Sequence, residues 1–179
     1  MITKWNFQTP TEEELHKRDR LASQLGLSPV VCLLLVQRGL TTVEEVKKFF
    51  KPSLNDLHDP FLMPDMEKAV KRLNKALGNK EKILIYGDYD VDGTTAVSLV
   101  YKYLRPYSSA LDYYIPDRYD EGYGISYKGI NYARENGITL VISLDCGIKA
   151  IEKIEYAKQL GIDFIICDHH MPDDTLPDA

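Results

Sequence analysis

The sequence predicts an α/β fold: a parallel sheet with helices on both faces, preceded by a small helical N-terminal region. Three observations carry this. Four short runs, 82–87, 111–115, 139–144 and 163–167, alternate with stretches of helical length at 94–104, 126–136 and 148–160, and strands separated by helices imply right-handed βαβ units with parallel pairing. The runs Ile83-Leu84-Ile85-Tyr86, Val141-Ile142 and Phe164-Ile165-Ile166 are apolar without alternation, as strands covered on both faces require. Three of the four runs end in carboxylates, and open parallel sheets bind ligands outside the carboxyl ends of their strands.

Before residue 80 the pattern is helical. Thr11 with Glu14 forms a capping box ahead of a charged helix reaching about Leu25. Ser28-Pro29 opens a second helix, with Pro at its first position, and Gly39 stops it. Thr42 with Glu45 caps a third helix ending near Phe50, and residues 51–64, with Pro52, Pro60 and Pro64, read as a linker. Asp65 is expected to cap a helix with Met66, Ala69, Val70, Leu73, Ala76 and Leu77 on one face and Gly78 at its end. The expected domains are a helical region 1–80, with its linker at 51–64, and a sheet domain 81–179.

Hydrophobic residues make up 44% of the 179 positions, enough for an α/β domain with a small helical companion. A net charge of −5 excludes polyanion binding by bulk positive charge. Any polyanion must be met by local cations, bound metal or another part of the protein. Three cysteines without framework spacing predict a reducing compartment and no disulfide. The N-terminus lacks a signal-peptide h-region. The longest apolar stretch, Val30 to Val36, is far short of the ~20 residues that span a bilayer. The expectation is a cytoplasmic protein without membrane association.

The chemistry concentrates at the strand ends. Asp88, Asp90 and Asp92 follow the first run, Asp145 the third and Asp168-His169-His170 the fourth. One Asp in such a turn reads as a cap, but three in five residues repel one another unless a cation sits among them. Alternation at 88, 90 and 92 would let one short extended segment converge its carboxylates on that cation. An EF-hand also opens Asp-x-Asp-x-Asp-Gly, but its twelfth residue should be Glu, and that position is Leu99. Asp145 alone reads equally as a helix cap. Two adjacent imidazoles straight after a buried strand are harder to explain by packing, whereas His16 and His58 read as ordinary imidazoles. Carboxylates plus imidazole suit manganese or magnesium better than a thiophilic metal, so Cys146 and Cys167 read as small core residues.

Arg118, beside the Gly122-Tyr123-Gly124 loop and a helix start near Ser126, reads either as a phosphate contact or as a surface arginine paired with Asp117, Asp120 or Glu121. The tyrosines at 113, 114, 119 and 127 read as cover for a half-exposed edge, and Tyr123 as the one placed to stack on a base.

Asp168-His169-His170 resembles the signature of the DHH phosphoesterase superfamily. Trp5, Arg38-Gly39, Leu57, Asp59-Pro60, the run Ile85 to Gly93, Pro116-Asp117-Arg118 and Glu121-Gly122-Tyr123-Gly124 resemble landmarks of its single-strand-specific 5′→3′ DNA exonuclease family. The resemblance implies Asp90, Asp92, Asp145, His169 and His170 as catalytic residues. It places Asp88, Asp90, Asp92, Asp145, Asp168 and His169 around metal, with Asp88 and Asp168 as ligands or supports of ligands. His170, Arg118, Tyr123 and Gly124 would then meet substrate. Some family members carry His where this chain has Tyr86, which leaves open whether Asp88 substitutes.

The implied cofactor is a pair of Mn2+ or Mg2+ ions serving an in-line displacement at phosphorus, and the implied partner is single-stranded DNA. Replacing Asp90 or His169 by Ala is expected to abolish cleavage without disturbing the fold. The family continues with a further carboxylate motif, a DHH-associated domain and an oligonucleotide-binding fold, while this chain stops shortly after His170. It therefore reads as an N-terminal fragment, expected to be inactive alone, with an incomplete metal site and a sheet edge open to self-association. A smaller DHH phosphodiesterase acting on short oligonucleotides or cyclic dinucleotides, or a pyrophosphatase of the superfamily, would have no use for the helical region. A non-catalytic DNA-binding scaffold would have no use for the retained Asp and His residues.

Overall fold

The computed structural model describes residues 9–179, so Trp5 lies outside it. The chain forms two compact units, divided between Leu62 and Met63. In the first, helices α1 (Glu12–Leu25), α2 (Pro29–Gln37) and α3 (Val43–Phe50) enclose Leu21, Cys32, Leu35, Val36 and Val46. Both expected capping boxes form: Thr11 and Thr42 accept the amides of Glu14 and Glu45, whose carboxylates return to the cap backbone. The proline-rich stretch that follows holds only two single 3₁₀ turns, Leu54–Asp56 and Pro60–Leu62.

The second unit runs α4 (Met66–Gly78), β1 (Ile83–Gly87), α5 (Val91–Leu104), β2 (Leu111–Tyr114), α6 (Tyr127–Glu135), β3 (Leu140–Leu144), α7 (Ile151–Gln159) and β4 (Asp163–Cys167). All pairings are parallel, in the order β2-β1-β3-β4. The three strands with acidic loops are therefore contiguous, with β2 outside β1, as convergence of those loops demands. β1 and β3 are buried at every residue. On one face Leu84, Tyr86, Val141 and Phe164 pack against Ile130 and Ala133 of α6 and Ile154 and Ala157 of α7. On the other, Ile83, Ile85, Leu140 and Ile142 pack against α4 and α5 through Ala76, Val97 and Leu104. Truncating a residue such as Ile85 to Ala would cost about 2–5 kcal/mol by this burial.

Four local expectations change. Helix α4, grouped with residues 1–80 from its pattern, belongs to the second unit, because Leu73, Ala76 and Leu77 join the sheet core. Asp65 precedes α4 but its side chain caps nothing: its φ of 58° is left-handed, not the extended backbone that lets an N-cap reach back. Helix α5 starts at Val91, three residues before the expected Thr94. β4 is an edge strand, so Ile165 and Ile166 are only half-buried and Cys167 is exposed, not a core residue.

Candidate metal centre

Register sets the site. Gly87 pairs with Leu144 and Leu144 with Cys167, so Asp88, Asp145 and Asp168 each follow one level row across three adjacent strands. Neighbouring strands lie about 4.8 Å apart, which brings the loops together at the carboxyl edge. The Asp145 amide donates to the Cys167 carbonyl at 2.8 Å, stapling the β3 and β4 exits. Asp145 adopts a left-handed φ of 61°, a conformation Asp tolerates better than most side chains.

Asp145, His169 and His170 offer ligand atoms within 4.8 Å of one another, and they are the cluster of metal-competent groups among the described residues. Asp145 Oδ1 lies 3.0 Å from His169 Nε2, with the carboxylate mostly buried and the imidazole open to solvent. Asp168 behaves differently. Its Oδ1 accepts the His170 amide and approaches His170 Nδ1 at 2.6 Å, while Oδ2 accepts the Ile148 amide at 3.0 Å. With both oxygens hydrogen-bonded and its side chain buried, Asp168 orients His170 and the turn after β3. Burial opposes its ionisation, but the Ile148 and His170 amides and the His170 ring outweigh that and hold its pKa below the usual carboxylate range. In return, the hydrogen bond to Asp168 raises the His170 pKa.

The first acidic loop does not form the extended segment that alternation implied. Asp88 is fully buried: Oδ1 accepts the Gly124 amide at 3.2 Å, and Oδ2 has no partner. Asp90 is the N-cap of α5, accepting the Gly93 amide at 2.9 Å. Asp92 sits in the first helical turn, exposed. None of the three joins the Asp145–His169–His170 cluster at ligand spacing, because α5 winds up immediately after Asp90. The loop is tight: a Cβ on Gly93 would lie 2.4 Å from the Asp88 carbonyl oxygen and 2.6 Å from its nitrogen. No residue but glycine fits without moving that backbone.

The segment 117–126 meets the cluster through Tyr123. Tyr123 donates from its hydroxyl to the Asp145 carbonyl at 3.1 Å, and the same oxygen lies 3.3 Å from both ring nitrogens of His170. Burial, with the charges of Asp168, Asp88 and Asp145 adding to it, pushes the Tyr123 pKa up to about 12. Arg118 makes no ion pair among the described residues. Asp120 pairs with Lys128, Asp117 accepts the Tyr119 and Asp120 amides, and Arg118 lies 5.2 Å from the centre of the Tyr89 ring. Gly124 is buried, its amide committed to Asp88 and its carbonyl to the Tyr86 hydroxyl. Its backbone thereby links Tyr86 to Asp88. Tyr114 stacks on Tyr86, as cover for an edge should, while Tyr119 is 95% exposed and covers nothing.

Tyr86 escaped the sequence reading except as the place where some relatives carry His. Its hydroxyl accepts the Ser126 amide at 3.1 Å and donates to Gly124 at 2.9 Å; burial drives its pKa upward. Its hydroxyl is committed to the loop before α6. Glu121, read from sequence as part of a landmark and as one possible partner of Arg118, accepts from Tyr114, Asp117 and Ser126. A carboxylate in a glycine-rich loop five residues ahead of an N-cap serine was the available signal.

The donor set fits a hard divalent cation. Two imidazoles and a carboxylate converge, and a buried carboxylate oxygen, Asp88 Oδ2, lacks the partner such atoms ordinarily have. Cys146 is no rival ligand, since burial and the surrounding Asp charges push its thiol up to about 12.

A doubly covered parallel sheet with Asp and His at three adjacent carboxyl ends is the architecture of a metal-dependent phosphoesterase of the DHH type. The DHH family, N-terminal domain, matches residues 82–179, and the chain belongs to that family. It is 41% identical over 176 residues to the single-stranded-DNA-specific exonuclease RecJ of Bacillus subtilis (strain 168), covering 98% of this chain and 22% of that protein. RecJ of Escherichia coli (strain K12) is 35% identical over 155 residues, 86% of this chain and 26% of that protein. The chain thus spans about a quarter of the length of these curated relatives. The crystal structure of exonuclease RecJ bound to manganese superposes with a TM-score of 0.59 at 30% identity, covering 65% of this chain and 30% of that one. RecJ from Thermus thermophilus, in complex with Mn2+, superposes at 0.65 over 92% of this chain and 22% of that one, and at 24% identity shows the shared fold.

Proposed function

We propose that this chain carries the metal-binding domain of a 5′→3′ single-stranded-DNA exonuclease and that Mn2+ or Mg2+ is its cofactor. The convergence of Asp145, His169 and His170 at the carboxyl ends of β3 and β4 carries this reading. It is supported by the similarity to RecJ proteins named for that activity and to RecJ structures solved with manganese. A bound divalent cation supplies Lewis acidity toward a phosphodiester.

Around it, Asp145 and the two imidazoles provide the ligands; Asp88 Oδ2, buried without a partner but outside ligand spacing of those three, is an oxygen for the second cation of the pair expected from sequence. Asp168 aims His170. Tyr123, exposed beside His170 and edge-on to Tyr89 with ring centres 6.5 Å apart, offers a stacking face to an unpaired base. Arg118, without a carboxylate partner among the described residues and lying over Tyr89, offers a cation to the DNA backbone. The helical residues before Leu62 are a second domain of the same protein, and a cytoplasmic location fits DNA as substrate. No helix among the described residues is long and apolar enough to cross a membrane. The open edge of β4 is a place where a further strand, or a second copy, would pair.

Manganese titration followed by electron paramagnetic resonance tests the site. Wild type should bind Mn2+, and Asp145→Ala should lose at least tenfold in affinity, on the order expected for a removed ligand's share. A full-length protein of the RecJ type carrying this domain should shorten single-stranded DNA from its 5′ end in Mn2+ and stop with a chelator. Undiminished Mn2+ binding by Asp145→Ala would refute the assignment.

A further inference from the structure

Glu121 lies outside the metal-competent cluster and has no cationic partner among the described residues; donors alone hold its carboxylate. The Asp117 amide donates to Oε1 at 2.9 Å, the Tyr114 hydroxyl lies 3.0 and 2.9 Å from the two oxygens, and the Ser126 hydroxyl donates to Oε2. Donor directions are forced. Ser126 Oγ already accepts the Gly129 amide at 2.8 Å, so its proton goes to Glu121. The Tyr86 hydroxyl accepts the Ser126 amide, so its single proton goes to the Gly124 carbonyl. The Gly124 amide then donates to Asp88.

These bonds tie both ends of the 117–126 loop to β2 and to the start of α6. Between the ties, Gly122 and Gly124 adopt left-handed φ values of 78° and 80°. Glycine visits that region and its mirror with similar ease, so the loop's shape must be imposed by its anchors. The residue displayed between the two glycines is Tyr123, resting on Asp145 and His170.

We propose that Glu121 is a positioning residue of the metal centre. Its carboxylate holds the loop so that Tyr123 rests on Asp145 and His170 while the Gly124 amide fixes Asp88 and leaves Asp88 Oδ2 to the site. The inference rests on reading the cluster as a metal centre. Glu121→Gln keeps an oxygen for Asp117 and Tyr114, but presents N–H groups to a Ser126 hydroxyl that must itself donate. Glu121→Ala removes every tie made by the carboxylate and leaves those of the Tyr86 hydroxyl.

The test uses the 179-residue chain, 15N-labelled, with thermal melts to establish folding. Two readouts are taken: the Gly124 amide resonance without metal, and Mn2+ affinity. Glu121→Ala should move the Gly124 resonance toward its position in Asp88→Asn and weaken Mn2+ about tenfold, with Glu121→Gln between it and wild type. A structural role alone would lower the melting temperature and leave both readouts in place, and that result overturns the proposal. If Glu121→Ala does not fold, Glu121→Gln decides by the same readouts. Asp145→Ala separates the two levels of inference. Unchanged Mn2+ binding there sinks the metal-centre reading, whereas loss there with wild-type behaviour in both Glu121 variants sinks the positioning role alone.

Discussion

Asp90 has a structural duty beside the candidate ligand role expected from sequence. As N-cap of α5 it accepts the Gly93 amide, so Asp90→Ala should lose about 1 kcal/mol of stability together with a candidate ligand. The expectation that this replacement leaves the fold undisturbed is therefore revised. Asn caps as well as Asp, so Asp90→Asn should melt like wild type while Asp90→Ala melts a few degrees lower, roughly 2–4 °C. Equal melting of the two variants would remove the cap from the account. Gly93 is a sharper case. A methyl group there meets the Asp88 backbone at 2.4 Å, and neither wall is a flexible side chain. Gly93→Ala should cost about 2–4 kcal/mol in urea unfolding and also impair Mn2+ binding, since Asp88 must shift.

Elements were legible where their signals are local. The capping boxes at Thr11 and Thr42 form as read because both partners lie within one turn. Thr42→Ala should destabilise α3 by about 1 kcal/mol, measured as faster amide exchange in residues 43–50 with exchange in β1 unchanged. The boundary of α5 was not legible: Gly93 read as the end of a turn and Thr94 as the helix start, yet the Asp90 cap starts the helix at Val91. Burial of β4 was misjudged for a different reason. Phe164-Ile165-Ile166 is as apolar as a central strand, and only the strand order shows that one side of it has no neighbour.

Across the whole second unit, the edge opposite the metal centre is bolted by Arg72. Its guanidinium reaches Glu81 at 2.8 Å and Asp163 at 2.6 Å, and Glu81 also accepts the Thr139 hydroxyl at 2.8 Å. One arginine of α4 thereby joins the starts of β1, β3 and β4. The hydrogen bond from Arg72 holds the Glu81 pKa below its ordinary 4.5. A depressed carboxylate contributes stability that is full above its unfolded pKa and lost as pH falls through the folded one. Arg72→Ala should cost about 1–2 kcal/mol near neutrality, with the more exposed Asp163 adding little. The gap to wild type should stay constant down to about pH 4.5 and close below it. A gap that persists unchanged at pH 2 would assign the loss to packing of the arginine stem.

The sequence by itself determined the α/β class, the parallel pairing of the strands and the identity of the residues gathered at their ends. Apolar runs, intervening helices and acidic exits are properties of contiguous segments, and few topologies satisfy them together. It also supplied the family resemblance, which rests on contiguous motifs. Only the tertiary structure decided which side chains converge. Register across β1, β3 and β4 levels Asp88, Asp145 and Asp168, but backbone hydrogen bonds then divide them. Asp145 joins His169 and His170, Asp168 orients, Asp90 caps, and Asp88 keeps one oxygen unpartnered. The parts played by Tyr86, Glu121 and Gly124 depend on contacts between β1, β2 and the loop before α6, partners up to 40 residues apart. Spacing along a chain sets which groups are available; which of them meet is settled by how the strands pair and where each amide finds its acceptor.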